Sequence, residues 1–425
     1  MEDKSMTRKR YLMLALLAWG GGVIFLLPYL RWTFYEPMRE VLGVNHTQYG
    51  FMMSVYGFTA LVTYWPGGWL ADRISARKLL TFSFTATGLL GFWFATYPPY
   101  EICVLIHILW GFTTLMTFWA TMNKATKELA GPDAQGRFFG FLEGGRGVTS
   151  LGFNLGFSAL FAYFGGKALG VTVVLYLSSA ISVATGILTW FVFKLPEGQE
   201  EQETASQEKR SAKEDLKEVI TNPLYWGIAM VIFCGFNVSV LGSYMTPYLT
   251  EYFGVTAAAT AVIASFRIYG LQMVCSPLSG VIVDKTGHVA KNIFINFSVV
   301  LVFLVGFIFL PPDTKLLIPA VAAMMIMYFA LNMSRGVYYA LFDEIGTPAA
   351  ISGTAIGFAA LIGYSPDAFF YTIAGWILDH YPGTTGYKIL FAADAAILGC
   401  GLIMMIFMVK RIQRIKNHRA AKVQA

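Results

Sequence analysis

Apolar stretches of membrane-spanning length recur along the whole chain, and they restrict the possible folds more than any other feature. A helix needs roughly 20 apolar residues to cross the hydrocarbon core of a bilayer. Of the 425 residues, 56% are hydrophobic and only 13% are charged, which is more apolar surface than a soluble core can bury. We therefore predict an all-α membrane protein with twelve transmembrane helices, spans one to twelve, at residues 11–32, 47–70, 79–98, 101–123, 135–162, 169–193, 224–249, 256–280, 290–310, 316–340, 352–378 and 386–409.

Basic residues near the span ends indicate the orientation in the membrane. Loops that remain in the cytoplasm carry an excess of Lys and Arg. Here the basic residues cluster on the side that holds both termini, at Arg8, Lys9, Arg10, Arg73, Arg77, Lys78, Lys124, Lys127, Lys285, Lys291, Lys410, Arg411, Arg414 and Lys416. Both termini are therefore predicted to be cytoplasmic. The net charge of +6 follows from this topology and does not indicate a nucleic-acid partner.

One polar stretch interrupts the apolar pattern. Residues 194–222 mix charges of both signs and contain few apolar residues, so this segment can neither span a membrane nor form a core. It predicts a cytoplasmic linker between an N-terminal six-helix bundle at 1–193 and a C-terminal six-helix bundle with a basic tail at 223–425. Asn222 and Pro223 are expected to begin span seven, because Pro is favoured in the first helical turn.

The two halves carry matching sequence, which indicates a duplication into two pseudo-symmetric bundles. Gly68–Arg73 ends span two, and Gly280–Lys285 ends span eight at the corresponding place. Further matches pair Pro28–Leu30 with Pro247–Leu249, Tyr56-Gly57 with Tyr269-Gly270, and Glu128 with Glu344.

These features resemble the major facilitator superfamily of secondary transporters over essentially the whole chain. The motif that carries the resemblance is GWLADRISARKLL after span two, with a second copy, GVIVDKTGH, after span eight. Ser75 stands in the first copy where the family motif has glycine, whereas Gly287 holds that place in the second. The strings FYEPM at 34–38 and GWILDHYPGTTGY at 375–387 resemble a group of bacterial permeases, which implies a multi-pass protein of the bacterial inner membrane.

The resemblance implies a gating role for the two loop motifs. In the family, the motif aspartate holds the cytoplasmic side closed, which implies this role for Asp72 and Asp284. Gly68 and Gly280 are expected to let a neighbouring helix approach closely. Arg73 is expected to pair with Glu128 at the end of span four.

Arginines within the predicted spans are candidates for substrate binding, since charge inside a membrane is costly and usually functional. At about 1.5 Å per residue, Arg146 and Arg267 lie roughly 17 and 16 Å into their helices, near the midplane. We predict that they hold an anionic group, with Arg31 and Arg335 as further candidates. Alternatively, Glu143 neutralises Arg146, Arg31 snorkels to water, and Arg335 marks topology alone.

Three acidic residues are candidates for proton coupling: Glu143 in span five, Asp367 in span eleven and Asp394 in span twelve. Glu143 lies one turn from Arg146. A substrate anion that competes for Arg146 would therefore release the Glu143 carboxylate to take up a proton. Sodium is the alternative coupling ion.

Aromatic and amide side chains are predicted to line the substrate site, since small-molecule sites combine apolar walls with a few polar groups. The candidates are Tyr56, Trp119, Asn237 and Tyr269.

Together these observations predict a secondary active transporter that moves a small organic anion by alternating access, as a proton-coupled symporter. Span five lacks the proline that marks many antiporters of the family. The alternatives are an antiporter or exporter of a small metabolite, and a transporter-like sensor without transport. Isolated cysteines, unclustered histidines and missing catalytic motifs predict no enzyme, no metal and no cofactor. The predicted partners are the anionic substrate, the proton or sodium, and the lipid bilayer, and the protein is expected to be a monomer.

Overall fold

The computed structural model describes residues 4–130, 135–194 and 212–424, and every regular element in these ranges is a helix. Most of the predicted linker, residues 195–211, lies outside the described residues. The first half contains α1 (Lys4–Val23), α2 (Leu26–Tyr29), α3 (Tyr35–Leu42), α4 (His46–Arg73), α5 (Ala76–Phe94), α6 (Tyr100–Gly111), α7 (Ala120–Ala130), α8 (Gln135–Tyr163) and α9 (Ala168–Val192). The remainder contains α10 (Ala212–Thr221), α11 (Pro223–Phe253), α12 (Ala257–Ser265), α13 (Leu271–Thr286), α14 (Val289–Phe309), α15 (Leu317–Arg335), α16 (Ala340–Ile345), α17 (Ala349–Gly363), α18 (Phe370–His380) and α19 (Thr384–Gln424).

Eight helical stretches in the described ranges are long and apolar enough to cross a membrane. They lie at the positions of spans one, four, six, seven, eight, nine, ten and twelve. Helices α4, α5 and α8 and the pair α17–α18 lie at the positions of spans two, three, five and eleven. The all-helical membrane fold is confirmed, whereas the number of twelve spans and the cytoplasmic termini stay predictions.

Local sequence signals determine where several spans begin and end. Asn45 caps α4 by accepting a hydrogen bond from the Gln48 backbone, while the Gln48 side chain accepts one from the Asn45 backbone. The Asn222 side chain caps α11 and Pro223 is its first residue, which confirms the predicted start of span seven. Gly254, with a φ of 66°, ends the same helix in the left-handed conformation that glycine adopts readily.

The chain divides by its contacts into two units. The first unit comprises Met1–Gln207 together with Val255–Gly270, and the second comprises Glu208–Gly254 together with Leu271–Ala425. Val255–Gly270 is the first part of span eight, and its helix α12 packs on α8. This segment therefore belongs by contacts to the unit that contains spans one to six.

Small residues allow close packing inside the first unit. Helices α5 and α9 pack along their length. A Cβ atom added at Gly88 of α5 would lie 2.7 Å from the Ser179 carbonyl oxygen, and one added at Gly186 of α9 would lie 3.1 Å from the Thr85 nitrogen. The Ser182 hydroxyl donates to the Phe84 carbonyl at 2.8 Å. Such contacts hold membrane helices together where lipid tails remove the hydrophobic driving force.

Five spans contain a break in regular α-helical geometry. The irregular segments are a 3₁₀ turn at Leu30–Trp32, π-helical segments at Phe112–Trp119 and Phe266–Gly270, a turn at 336–339 and a 3₁₀ turn at Ser365–Ala368. Irregular backbone at membrane depth is tolerated only where it is buried in protein or lines a cavity. Two of these segments, Leu30–Trp32 and Phe266–Gly270, each contain a buried arginine, Arg31 and Arg267.

Candidate functional site

The irregular segments coincide with residues predicted to bind substrate or protons. Arg31 lies in the 3₁₀ turn of span one, Trp119 ends the π-helical segment of span four, and Arg267 lies in that of span eight. Arg335 is the last residue of α15 before the turn, and Asp367 lies in the 3₁₀ turn of span eleven. Short π-helical segments occur frequently at functional sites.

Arg146 in α8 is held by an acid, two aromatic rings and a backbone carbonyl. Its guanidinium donates to Glu143 at 2.5 Å, so the predicted internal ion pair is formed. The guanidinium carbon lies 5.0 Å from the Trp119 ring centroid and 5.9 Å from that of Phe25. The Arg146 side chain is 16% exposed, whereas that of Glu143 is 53% exposed. The arginine therefore lies in the interior and its acid lies at the surface of the unit.

Consecutive glycines in span one make room for Arg146. A Cβ atom added at Gly21 would lie 2.7 Å from the Arg146 Cγ and Cδ atoms, and one at Gly22 would lie 2.7 Å from the Thr149 Cβ. Arg146 Nε donates to the Gly21 carbonyl at 3.4 Å, and Ser150 donates to the Gly22 carbonyl at 3.4 Å. Span one thus presents bare backbone to the face of α8 that carries Arg146.

Asn154, two turns further along the same face of α8, connects three spans. Its side-chain oxygen accepts a hydrogen bond from Thr33 of span one at 3.0 Å. Its amide nitrogen donates to the Ser150 carbonyl at 2.9 Å, and its side chain is also hydrogen-bonded to Tyr269 of span eight. Asn154 is 3% exposed. The junction ties together the two irregular segments that carry Arg31 and Arg267.

Arg31 is buried, and its surroundings exclude the alternative that it snorkels to water. It is 2% exposed and donates to the Tyr49 carbonyl at 2.8 Å. Its guanidinium carbon lies 4.4 Å from the Tyr49 ring centroid and 5.2 Å from that of Tyr35. Arg267 is similarly buried, at 3% exposed. Guanidinium groups over aromatic faces gain cation–π attraction that partly replaces hydration.

Glu36 follows Arg31 by five residues in the chain and lies in α3, outside the membrane-spanning segments. Its carboxylate accepts from Arg39 at 2.7 Å. Burial raises the pKa of Glu36 above its usual value, although the hydrogen bond and charge of Arg39 act in the opposite direction.

The second unit has its own charged cluster around the break in span eleven. The Arg335 guanidinium lies 5.8 Å from the Phe236 ring centroid, and it is within electrostatic range of Asp367. The Asp367 carboxylate is hydrogen-bonded by Tyr371, and its other oxygen is buried with no hydrogen-bond partner among the described residues. Arg335 therefore lies at an interior break of span ten and has a carboxylate neighbour.

Three other predicted site residues are buried within their own units. Asp394 of α19 and Asn237 of α11 are fully buried, and their side-chain polar atoms lack hydrogen-bond partners in the part of the chain that the structure describes. Tyr56 is 1% exposed, and its hydroxyl is hydrogen-bonded to Thr114 at 2.9 Å. The hydrogen bond between Tyr56 and Thr114 is typical of packing between neighbouring helices.

The predicted pairing of Arg73 with Glu128 is wrong. Lys124 takes the position between the acids, with its Nζ 3.2 Å from Asp72 and 3.9 Å from Glu128. The same ammonium group donates to the Ala71 carbonyl at 3.2 Å, near the end of span two. Arg73 instead lies over the Trp69 ring, 4.0 Å from its centroid. The compact ammonium of Lys124 reaches both carboxylates and a helix-end carbonyl at once.

The close helix approach predicted at Gly68 and Gly280 is also wrong in this structure, since an added Cβ atom at either position meets nothing within 4 Å. Gly67 is the tightly packed glycine, because a Cβ there would lie 2.6 Å from the Met116 carbonyl oxygen of span four. Asp284 of the second motif copy is exposed.

Several residues of these clusters lack a strong sequence signal. Tyr35 and Tyr49 contact Arg31, Thr33 bonds Asn154, and Lys124 bridges Asp72 and Glu128. Only an unusual polar residue inside an apolar span, as at Asn154, could have drawn attention to them.

Comparison with known proteins identifies the family. The family model described as Major Facilitator Superfamily matches residues 12–371, so the chain belongs to this superfamily of transporters. Inner membrane protein YqcE of Escherichia coli (strain K12) is 31% identical, covering 95% of this chain and 96% of its own. Inner membrane protein YihN of the same organism is 30% identical, covering 98% of this chain and 99% of its own.

Solved structures show the same fold. The crystal structure of nucleoside transporter NupG superposes with a TM-score of 0.71 at 15% identity, covering 96% of this chain and 100% of that chain. Together with the family and the inner-membrane relatives, this likeness identifies a multi-pass inner membrane protein of the transporter class.

Proposed function

We propose that this transporter carries a small organic anion, which Arg31, Arg146 and Arg267 of the first unit bind. The observation that carries the proposal is the burial of two guanidinium groups inside membrane-spanning segments, at 2% and 3% exposure for Arg31 and Arg267. Buried charge in a membrane protein is costly, and it persists where a function needs it. The planar guanidinium suits carboxylate, sulfonate and phosphate groups, which accept two parallel hydrogen bonds.

A distant relative supports the same substrate class. The protein named "Probable sulfoacetate transporter SauU" of Cupriavidus necator is 22% identical, covering 87% of this chain and 87% of its own. Sulfoacetate carries a sulfonate and a carboxylate, so two or three guanidinium groups would match its charge. It is therefore the first probe to use.

For coupling, we propose proton symport with Asp367 as the protonated group. Asp367 lies partly buried in the break of span eleven, with Arg335 nearby and one buried carboxylate oxygen that has no hydrogen-bond partner among the described residues, whereas Glu143 is paired and half exposed. A buried carboxyl whose charge state depends on a neighbouring arginine can gain and lose a proton as that arginine changes partner. Glu143 and Asp394 are the second and third candidates.

The test uses the purified full-length protein. Thermal unfolding is measured with sulfoacetate, glucuronate, succinate, glycerol 3-phosphate and, as a neutral control, uridine. A ligand at 100 times its Kd stabilises the folded state by about 2.7 kcal/mol, which gives a clear shift. The anion with the largest shift is then used for counterflow in proteoliposomes. A neutral best ligand, bound equally by wild type and Arg267→Ala, would overturn the anion proposal. Binding without counterflow would indicate a sensor.

A further inference from the structure

Two arginines at one end of the first unit are stacked on tryptophans and are not neutralised by acids. Arg73 lies over Trp69, and its expected partner Glu128 instead lies 3.9 Å from the Lys124 ammonium group. Arg77 lies 4.2 Å from the Trp190 ring centroid. In the described parts of the chain, neither arginine forms an ion pair with a carboxylate.

The Arg77 side chain is fixed by a further contact. Its Nε donates to the Trp190 carbonyl at 2.6 Å, near the end of α9, where helix carbonyls lack intrahelical partners. This hydrogen bond occupies the Nε–H group of Arg77, and the Trp190 ring covers one face of the guanidinium. Neither terminal nitrogen has a hydrogen-bond partner among the described residues, so both can donate to an acceptor from outside the chain.

The surface that adjoins these two arginines is apolar. Trp69 is 53% exposed and Trp190 is 41% exposed. Along α9, the exposed side chains of Leu188 and Ile187 continue from Trp190 towards the middle of the span, and Phe191 is exposed at the end of the helix. An indole at the boundary between charged groups and an aliphatic face is typical of the interface between lipid headgroups and acyl chains.

We propose that the end of spans two, three and six binds an anionic phospholipid, with its phosphate on Arg77 and its acyl chains along α9. The Arg73–Trp69 pair supplies a second positive charge beside this site. Guanidinium groups bind phosphate oxygens in pairs of parallel hydrogen bonds, and Trp190 holds Arg77 ready for this contact. The charge pattern predicts that this end is cytoplasmic, and the cytoplasmic leaflet is anionic. A soluble anion would leave the adjoining apolar face uncovered, which favours a lipid.

The experiment measures lipid binding directly and does not depend on the transported substrate. Full-length protein in detergent is titrated with phosphatidylglycerol, and bound lipid is counted by native mass spectrometry. Phosphatidylcholine with the same chains is the neutral-lipid arm, and inorganic phosphate is the soluble-anion arm. The variants are Arg77→Gln and Trp190→Leu. Lys291→Gln is the matched control, because Lys291 is an exposed basic residue at the start of α14, on the same predicted side of the membrane.

We expect Arg77→Gln to weaken phosphatidylglycerol binding about tenfold and Trp190→Leu, which removes no charge, about threefold. Lys291→Gln should bind like wild type, and neither phosphatidylcholine nor phosphate should compete. If the lipid were bound only by diffuse electrostatic attraction, Arg77→Gln and Lys291→Gln would lower the affinity for phosphatidylglycerol by the same factor, roughly fivefold per charge. This result would overturn the proposal. So would competition by phosphate. If Arg77→Gln does not purify as a monodisperse protein, the comparison of phosphatidylglycerol affinity between Trp190→Leu and Lys291→Gln tests the proposal: a loss in Trp190→Leu alone supports it, and equal affinities overturn it.

Discussion

The first unit holds its membrane-embedded charge mainly as guanidinium groups, whereas the second unit holds it mainly as carboxyl groups. In the first, Arg31 and Arg267 are buried and Arg146 is nearly so, while the accompanying Glu143 is exposed. In the second, Asp394 is fully buried and Asp367 has a buried oxygen, with Arg335 as the accompanying cation. The two units therefore differ in the sign of the charge that they bury.

The internal repeat shows that the buried arginines are not duplicated. By the match of Pro28–Leu30 with Pro247–Leu249, the residue that corresponds to Arg31 is Thr250. By the match of Tyr56 with Tyr269, the residue that corresponds to Arg267 is Ser54. Each of these two arginines therefore occurs in one copy of the repeat and not in the other. A site for an anion and a site for a proton can then be varied independently, which a strictly symmetric pair of bundles would not allow.

The strongest test of this division removes a buried cation. Arg267→Ala should weaken binding of the anion chosen in the thermal screen by roughly 100-fold, because truncating one partner of a buried charge pair costs about 2–5 kcal/mol. Kd is measured by isothermal titration. Lys167→Ala removes an exposed cation from the same unit and should leave Kd unchanged. Equal losses in the two variants would mean that net charge, and not the buried guanidinium, attracts the anion.

The second test removes a partly buried acid. Asp367→Asn should abolish accumulation of the anion driven by a proton gradient while counterflow exchange persists, because the amide cannot exchange a proton during the transport cycle. Uptake into proteoliposomes with and without an imposed pH gradient measures both. Glu143→Gln is the comparison variant and should retain most accumulation. If Glu143→Gln loses accumulation and Asp367→Asn keeps it, coupling belongs to the first unit and the division between the units fails.

A smaller effect is expected at the junction that orients the cations. Asn154→Leu should raise KM roughly fivefold with little change in kcat, since a buried hydrogen bond contributes about 1 kcal/mol. Thr33→Val should act through the same contact, so the double variant should be no worse than Asn154→Leu alone. Additive effects in this cycle would show that the two residues act separately. Asn154→Ser, which keeps a hydrogen-bonding group, should restore part of the affinity.

The smallest effect is expected where the backbone of span one borders Arg146. Gly21→Ala places a methyl group against the Arg146 side chain, which is flexible and can shift, so we expect a rise in KM of roughly threefold. Gly306→Ala is the matched control, because an added Cβ there meets nothing within 4 Å. An unchanged KM for Gly21→Ala would remove Arg146 from the group of cations that bind the anion.

Apolar length and composition were sufficient to predict the fold, because only helices satisfy their backbone polar groups inside lipid. The charged residues of the site were also visible, since an arginine in an apolar span is rare. Most of their partners were not visible, with the exception of Glu143 beside Arg146. Sequence cannot tell that Lys124 rather than Arg73 lies beside Glu128, because both are basic residues near the same span ends. It also cannot tell that Gly67 rather than Gly68 faces span four, because one residue of helical rotation decides this. Nor does it indicate that Tyr35 and Tyr49 enclose Arg31.

The π-helical segment at Phe266–Gly270 has a consequence for how span eight can turn. A π-turn contains one residue more than an α-turn, and one residue corresponds to roughly 100° of rotation about the helix axis. The side-chain directions of α12 and α13 are therefore offset from each other about the helix axis, although both helices belong to one span. If the wide turn tightened on one side and re-formed further along, Arg267 would swing about the axis while the ends of the span kept their places. Such a movement needs no bending of the span and no insertion of residues.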